Sequence, residues 1–264
     1  MFERLLALIG APVVSLYGAI IAAGEFSLFY ARLFPQFFLP PYRMVLVFRQ
    51  IETIGIGSMG VIFLTALFTG MVEAIQFYNG FKEFGAENFM GYTIFISISK
   101  ELGPVLTSLM VISRAISAMA AELGTMRVTE QIDAIDILAI DSRRYLIVPR
   151  VIATAISLPL LIALFDVVAI GGAFVISTQF LGVNPVAYQE VIYQFLEWTD
   201  IASGIIKGFF IGIIVGMIGA YVGYFTHGGA RGVGLATTKA VVLAAISIFV
   251  VNYFLSALFL FLGW

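Results

Sequence analysis

Residues 100–150 read KELGPVLTSLMVISRAISAMAAELGTMRVTEQIDAIDILAIDSRRYLIVPR, and three textures succeed one another in them. After Lys100 and Glu101, residues 102–113 carry no charge. Residues 128–139 then set Val128, Ile132, Ile135 and Ala139 at helical spacing, with Glu130, Asp133 and Asp136 on other faces. That spacing predicts a short amphipathic helix. Arg143, Arg144 and Arg150 lead into a second apolar run. Two membrane spans joined by an amphipathic connector on a basic side account for all three textures.

The rest of the chain agrees. Of 264 residues, 61% are hydrophobic and 11% charged, against about 45–50% and about 25% in a soluble domain. Fourteen Lys and Arg against 16 Asp and Glu leave a formal charge of −2 and no basic run, so nucleic acid is not an expected partner. The absence of cysteine removes disulfides, thiolate catalysis and zinc–thiolate sites, and the single His227 removes histidine-rich metal centres. Neither a catalytic site nor a metal site is expected.

A helix needs roughly 20 apolar residues to cross about 30 Å of hydrocarbon. Charge-free runs at 53–72, 167–189, 208–226 and 240–264 meet that length. Residues 88–113 form another, interrupted only by Lys100 and Glu101. Five crossings are predicted, at about 53–78, 89–120, 145–180, 200–226 and 236–262. Arg127, Arg143, Arg144, Arg150 and Arg231 fall in loops on one side, and the opposite loops offer only Lys82. By the positive-inside rule the arginine-rich side is cytoplasmic and the C-terminus lies outside.

Residues 5–24 are also charge-free but contain Pro12 and several glycines. They are read as a helix lying in the interface, with a sixth span or an uncleaved signal as the alternatives; a cleaved signal peptide is not expected, since Glu3 precedes Arg4 and no small-residue cleavage site follows. Glu25, Arg32, Pro35, the Pro40–Pro41 pair, Arg43 and Arg49 then mark an elbow. The expected fold is all-α and integral to the membrane, one membrane domain over 1–264: an elbow region at 1–50, with the N-terminal interfacial helix, and a transmembrane bundle at 53–264.

Long stretches carry a family resemblance. ELGPVLTSLM (101–110), AAELGTMRVTEQIDAI (120–135), RRYLIVPRVIA (143–153), GGARGVGLATTKAVV (228–242) and FTGMVEAIQ (68–76) closely resemble the MlaE/YrbE family of ABC-transporter permeases, in order and from about Pro40 onward. The resemblance implies a homodimer in a bacterial inner membrane, bound on its cytoplasmic side by a separate ABC ATPase and on its outer side by a lipid-binding MCE-domain protein. It also implies movement of phospholipid between inner and outer membranes. It assigns 122–137 as a cytoplasmic coupling helix, with Glu122, Gly124, Thr125, Arg127, Thr129, Glu130, Gln131 and Asp133 meeting the ATPase. ATP would be bound by that partner, because no lysine of this chain stands in G-x-x-x-x-G-K-[ST].

Glu101 lies about 12 residues into its helix, a depth at which an ionisable group faces protein or a water-filled cavity. Either it lies in a salt bridge that orders the bundle, or it forms the base of a lipid cavity, the role the family implies. Pro104 is expected to bend the helix or free a carbonyl beside it. Val72, Glu73, Gln76 and Tyr78 join Glu101 as expected lipid-path residues, although Glu73 stands where many relatives are apolar and is equally readable as inert. Asp166 is similarly open, and Asn252 stands where relatives often have Asp. Gly204, Gly208, Gly212 and Gly216 recur every fourth residue, which predicts close helix packing. Gly229, Gly232 and Gly234 follow no strand and are read as a tight turn rather than a dinucleotide site. The competing function is an ion-coupled secondary transporter or channel using Lys100, Glu101 and Asp166.

Overall fold

A computed structural model describes residues 2–40 and 43–264, with the side chains of 2–16 and 19 outside the described set. Among the described residues the chain is helical throughout, with no strand. Hydrocarbon offers backbone groups no water to bond, so spanning segments must close their own hydrogen-bond ladder.

The elements run in order. Helix α1, Phe2–Leu33, ends in the turn Phe34–Phe37 that contains Pro35. Then come α2, Met44–Ile54, and α3, Met59–Lys82. The second crossing comprises α4, Met90–Ser97, a π turn at Ile98–Leu102, α5, Gly103–Val111, another π turn at Ile112–Ile116, and α6, Ser117–Val128. The connector α7, Gln131–Ile137, leads to α8, Ser142–Val175. Last are α9, Pro185–Phe195, α10, Trp198–Tyr224, and α11, Gly229–Phe261.

Among the described residues, five stretches are long and apolar enough to cross a membrane: Met44–Lys82, Glu87–Val128, Ser142–Phe180, Trp198–Tyr224 and Gly229–Phe261. They match the five expected crossings, with one internal difference. The first is not a continuous helix; it breaks at Gly55–Ser58, between α2 and α3. Gly57 sits directly against the Arg114 guanidinium, where a Cβ would collide with it. Arg114 Nη1 donates to the Thr53 carbonyl (3.1 Å) and to Ser58 Oγ (3.2 Å), satisfying groups the break leaves open.

Helix α10 is the hub, packed on α8 on one side and on α6 and α11 on the other. The glycine stripe explains this. Gly204 abuts the Ser99 carbonyl, Gly208 the Ile162 side chain, Gly212 the Thr154 carbonyl, and Gly219 the Ile116 side chain, with no room for a Cβ at any of them. Gly70 likewise brings α3 onto the Ala169 carbonyl of α8. By contrast α11 forms an outer wall, and its Ile246, Phe249, Tyr253 and Phe254 are exposed, as are Phe63, Leu64, Phe68 and Val72 of α3.

The N-terminal helix extends past the expected end at residue 24, because nothing breaks it before Pro35. Its last turns dock on the end of α10. Phe26 and Phe29 pack edge-on against Tyr221 (5.2 and 5.4 Å between centroids), and Tyr30 donates to the Met217 carbonyl (2.6 Å). The side chains that would decide whether residues 5–16 lie in the interface, and Pro41 of the elbow, fall outside the described residues. At the opposite end of the bundle, Asn184 caps α9 and Tyr188 is buried beside Gly91, which makes room for its ring. That burial pushes the Tyr188 phenol up to about 12.

Candidate functional site

Two groups of residues stand out. The first lies at membrane depth, where the π turn at Ile98–Leu102 meets α10 and α11. Proline at 104 cannot donate to the carbonyl four residues back, that of Lys100, and its ring crowds it. The freed Lys100 carbonyl accepts from Lys207 Nζ at 2.7 Å. The same ammonium donates to Glu101 Oε1 and to Ser256 Oγ, both at 2.7 Å, so all three of its donors are used. Glu101 is further bound by Ser256 Oγ (2.8 Å, to Oε1) and by Asn252 Nδ2 (2.7 Å, to Oε2). Lys207 is 1% exposed, whereas the Glu101 side chain is 48% exposed. One face of the carboxylate therefore anchors three helices and the other is open.

Lys100 takes a separate partner, Asp200 Oδ1 at 2.8 Å, and the Asp200 carboxylate also accepts the Glu197 N–H at the start of α10. Asp166 belongs to neither pair. It is buried on α8 against Gly103, with Oδ1 lacking a hydrogen-bond partner among the described residues. Lys100, Glu101 and Asp166 thus point to three different surroundings. Of the two readings of Glu101 the ion pair that orders the bundle is seen, and of the two expected of Pro104 the freed carbonyl. Glu73 and Gln76, in the second half of α3, make no hydrogen bond or ion pair with Glu101, and Tyr78 lies under Lys82 (5.4 Å). Lys207, Asn252 and Ser256 escaped the sequence reading as partners of Glu101. The available signal was Lys207 itself, the lone charge within residues 201–226.

The second group sits at the arginine-rich end. The predicted helix over 122–137 is two helices. Helix α6 closes at Val128, Glu130 takes a left-handed backbone (φ 61°), and α7 starts at Gln131. The reversal is pinned by Arg127 Nη1 to Asp133 Oδ1 (2.7 Å) and by Gln131 Nε2 to Thr129 Oγ1 (3.0 Å). Arg127 also stacks over the Tyr224 ring (5.7 Å). Ile132 is fully buried beneath α7, so Glu130, Asp133 and Asp136 stay on the surface beside exposed Ile137 and Leu138. Glu122 Oε1 pairs with Arg150 Nη2 at 2.9 Å, tying α6 to the base of α8. Gly124 is buried against Thr226, and Thr125 and Thr129 bond their own helix, so among the described residues seven of the eight expected contact residues are bonded or packed within the chain, and Glu130 is the exception.

Helices long and apolar enough to span, with ion pairs locked between them and an acidic connector displayed at one end, define a multi-pass helical membrane protein. The Permease MlaE family model matches residues 47–258. A probable ABC transporter permease of Rickettsia prowazekii is 41% identical over 238 residues, covering 90% of this chain and 92% of its own. The intermembrane phospholipid transport system permease protein MlaE of Haemophilus influenzae is 33% identical over 260 residues, 98% of each chain. The chloroplastic protein TRIGALACTOSYLDIACYLGLYCEROL 1 of Arabidopsis thaliana is 39% identical over 211 residues, 80% of this chain and 60% of its own. The chain belongs to the MlaE permease family, and is an ABC-type transporter permease.

Proposed function

We propose that this permease moves phospholipid between the inner and outer membranes of a bacterium, driven by ATP that a separate subunit hydrolyses. It works as a homodimer in the inner membrane, with the arginine-rich end cytoplasmic and the C-terminus periplasmic. An MCE-domain protein receives or delivers lipid on the periplasmic side.

The observation that carries this reading is the acidic knob of α7. Its carboxylates are exposed, its apolar tip is exposed, and its base is bolted by Arg127–Asp133 to α6, which Glu122–Arg150 ties in turn to α8. A displacement of the knob therefore reaches two spans at once. The similarity to the Haemophilus influenzae phospholipid permease, end to end, supports the cargo. Two acyl chains of about 16 carbons hold roughly 30 methylenes, worth about 25 kcal/mol when shielded from water. Cargo of that kind needs an apolar wall, which the exposed faces of α3 and α11 of two copies supply. Val72, Glu73, Gln76 and Tyr78 lie toward the outer end of that wall, and the open face of Glu101 forms its polar base.

Charge reversal of Glu130 and Asp133 to Lys is expected to abolish co-purification with the ATPase and ATP-dependent transfer of fluorescent phospholipid in proteoliposomes, with folding retained. Intact co-purification and transfer in a folded double variant would overturn the coupling reading.

A further inference from the structure

At the arginine-rich end, a cavity of about 350 Å³ opens between the last turn of α1, the elbow and the start of α8. Two of its lining groups are guanidinium ions. Arg32 makes no hydrogen bond or ion pair with any described residue, and Arg143 rests on the Phe29 ring (5.4 Å) without a carboxylate partner among them. The cavity's acids are otherwise engaged. Asp141 Oδ1 caps α8 by accepting the N–H groups of Arg143 and Arg144, and its Oδ2 accepts Gln36 Nε2 (3.0 Å). Asp136 Oδ1 accepts the Ser142 N–H (3.2 Å). What remains open is two guanidinium forks, one Asp136 oxygen, and Gln36 Oε1, which is buried without a partner.

Gln36 also lines a second, apolar groove, whose floor is Val47, Val148, Pro149 and Ile152 and whose mouth carries Arg43 and Arg144. Residues 144–152 climb α8 away from the arginine-rich end, about 12 Å at 1.5 Å per residue. The charged chamber and this much smaller apolar groove, about 40 Å³, meet at Gln36, which stands in the wall of both. Guanidinium forks match phosphate oxygens, the open acceptors match the ammonium or hydroxyls of a headgroup, and the small groove takes the start of an acyl chain whose remainder lies along α8 in the bilayer.

We propose that this elbow pocket binds one phospholipid of the surrounding arginine-rich leaflet, with its phosphate on Arg32 and Arg143 and one chain along α8. The lipid clamps α1 and the elbow to the bundle; it is a resident, held apart from the transport path through Glu101. The proposal does not depend on the transport reading, since it concerns binding by this chain alone.

The test uses the delipidated permease in maltoside micelles, titrated with dioleoyl phosphatidylglycerol and followed by native mass spectrometry and thermal unfolding. The wild type is expected to retain a tightly held phosphatidylglycerol that raises Tm. Arg32→Ala with Arg143→Ala weakens that binding about 30-fold, on the scale expected for two basic residues at a lipid headgroup. Arg231→Ala with Lys239→Ala, an equal loss of charge at the same end, leaves it unchanged. If the first double variant does not fold, Ile152→Trp fills the groove, keeps both arginines and is expected to expel the lipid. Undiminished binding in either pocket variant, or equal weakening in the control, overturns the proposal. So does an equal rise in Tm with millimolar glycerol 3-phosphate or inorganic phosphate, which would assign the chamber to a free phosphate.

Discussion

Lys207 shows what a single charge at membrane depth requires. Its three donors meet three acceptors at 2.7 Å, one of which exists only because Pro104 freed it. Removing one partner of a buried pair typically costs about 3–5 kcal/mol, whereas replacing both can be nearly neutral. Lys207→Met is therefore expected to lower Tm in detergent sharply, and Lys207→Met with Glu101→Gln to recover most of the loss; equal destabilisation by single and double variants would count against the pair. The depth of Glu101 was legible in the sequence, because distance along a helix is simple counting. Its partner was not, since Lys207 lies 106 residues away and only the relative rotation of the π turn at Ile98–Leu102 and α10 brings them together.

At the scale of elements, the glycine stripe was the most readable feature and the connector the least. Spacing by four placed Gly204, Gly208, Gly212 and Gly216 on one face of α10, and that face is where α8 and the π turn lie. Gly204→Ala forces a methyl into the Ser99 carbonyl and is expected to cost more than about 1–3 kcal/mol, the usual penalty of overpacking. Gly234→Ala, with open space around it in α11, is expected to stabilise by about 0.5–1 kcal/mol through helix propensity. Thermal unfolding of the two variants side by side separates packing from propensity. The break between α6 and α7 was hidden for a physical reason. Left-handed turns are signalled by Gly or Asn, and this one is occupied by Glu130 and held by the long-armed Arg127–Asp133 pair. The π turns were equally silent, although Pro104 announced that one carbonyl would need another donor.

For the whole molecule, five spans and their arginine asymmetry were legible because hydropathy and charge act through length and side alone. The docking of α1 on α10 was not, since it rests on aromatic edges meeting across nearly 200 residues. The chain has no cysteine, so single cysteines report topology cleanly. In intact cells whose outer membrane has been permeabilised, a cysteine at Gly263 is expected to react with a membrane-impermeant maleimide and one at Leu138 to react only after the inner membrane is opened. The reverse pattern would invert the proposed orientation.

Glu130 sets one further balance. A left-handed backbone costs a non-glycine residue roughly 1–2 kcal/mol, and this residue stands in it with its side chain free on the surface. Glycine there would relax the turn without disturbing a contact. Glu130→Gly is accordingly expected to raise Tm while weakening ATPase-driven transfer, a trade of durability against performance. Selection for a hardier protein alone would erase this acid, so its presence in a stable, transport-inactive laboratory lineage would be short-lived.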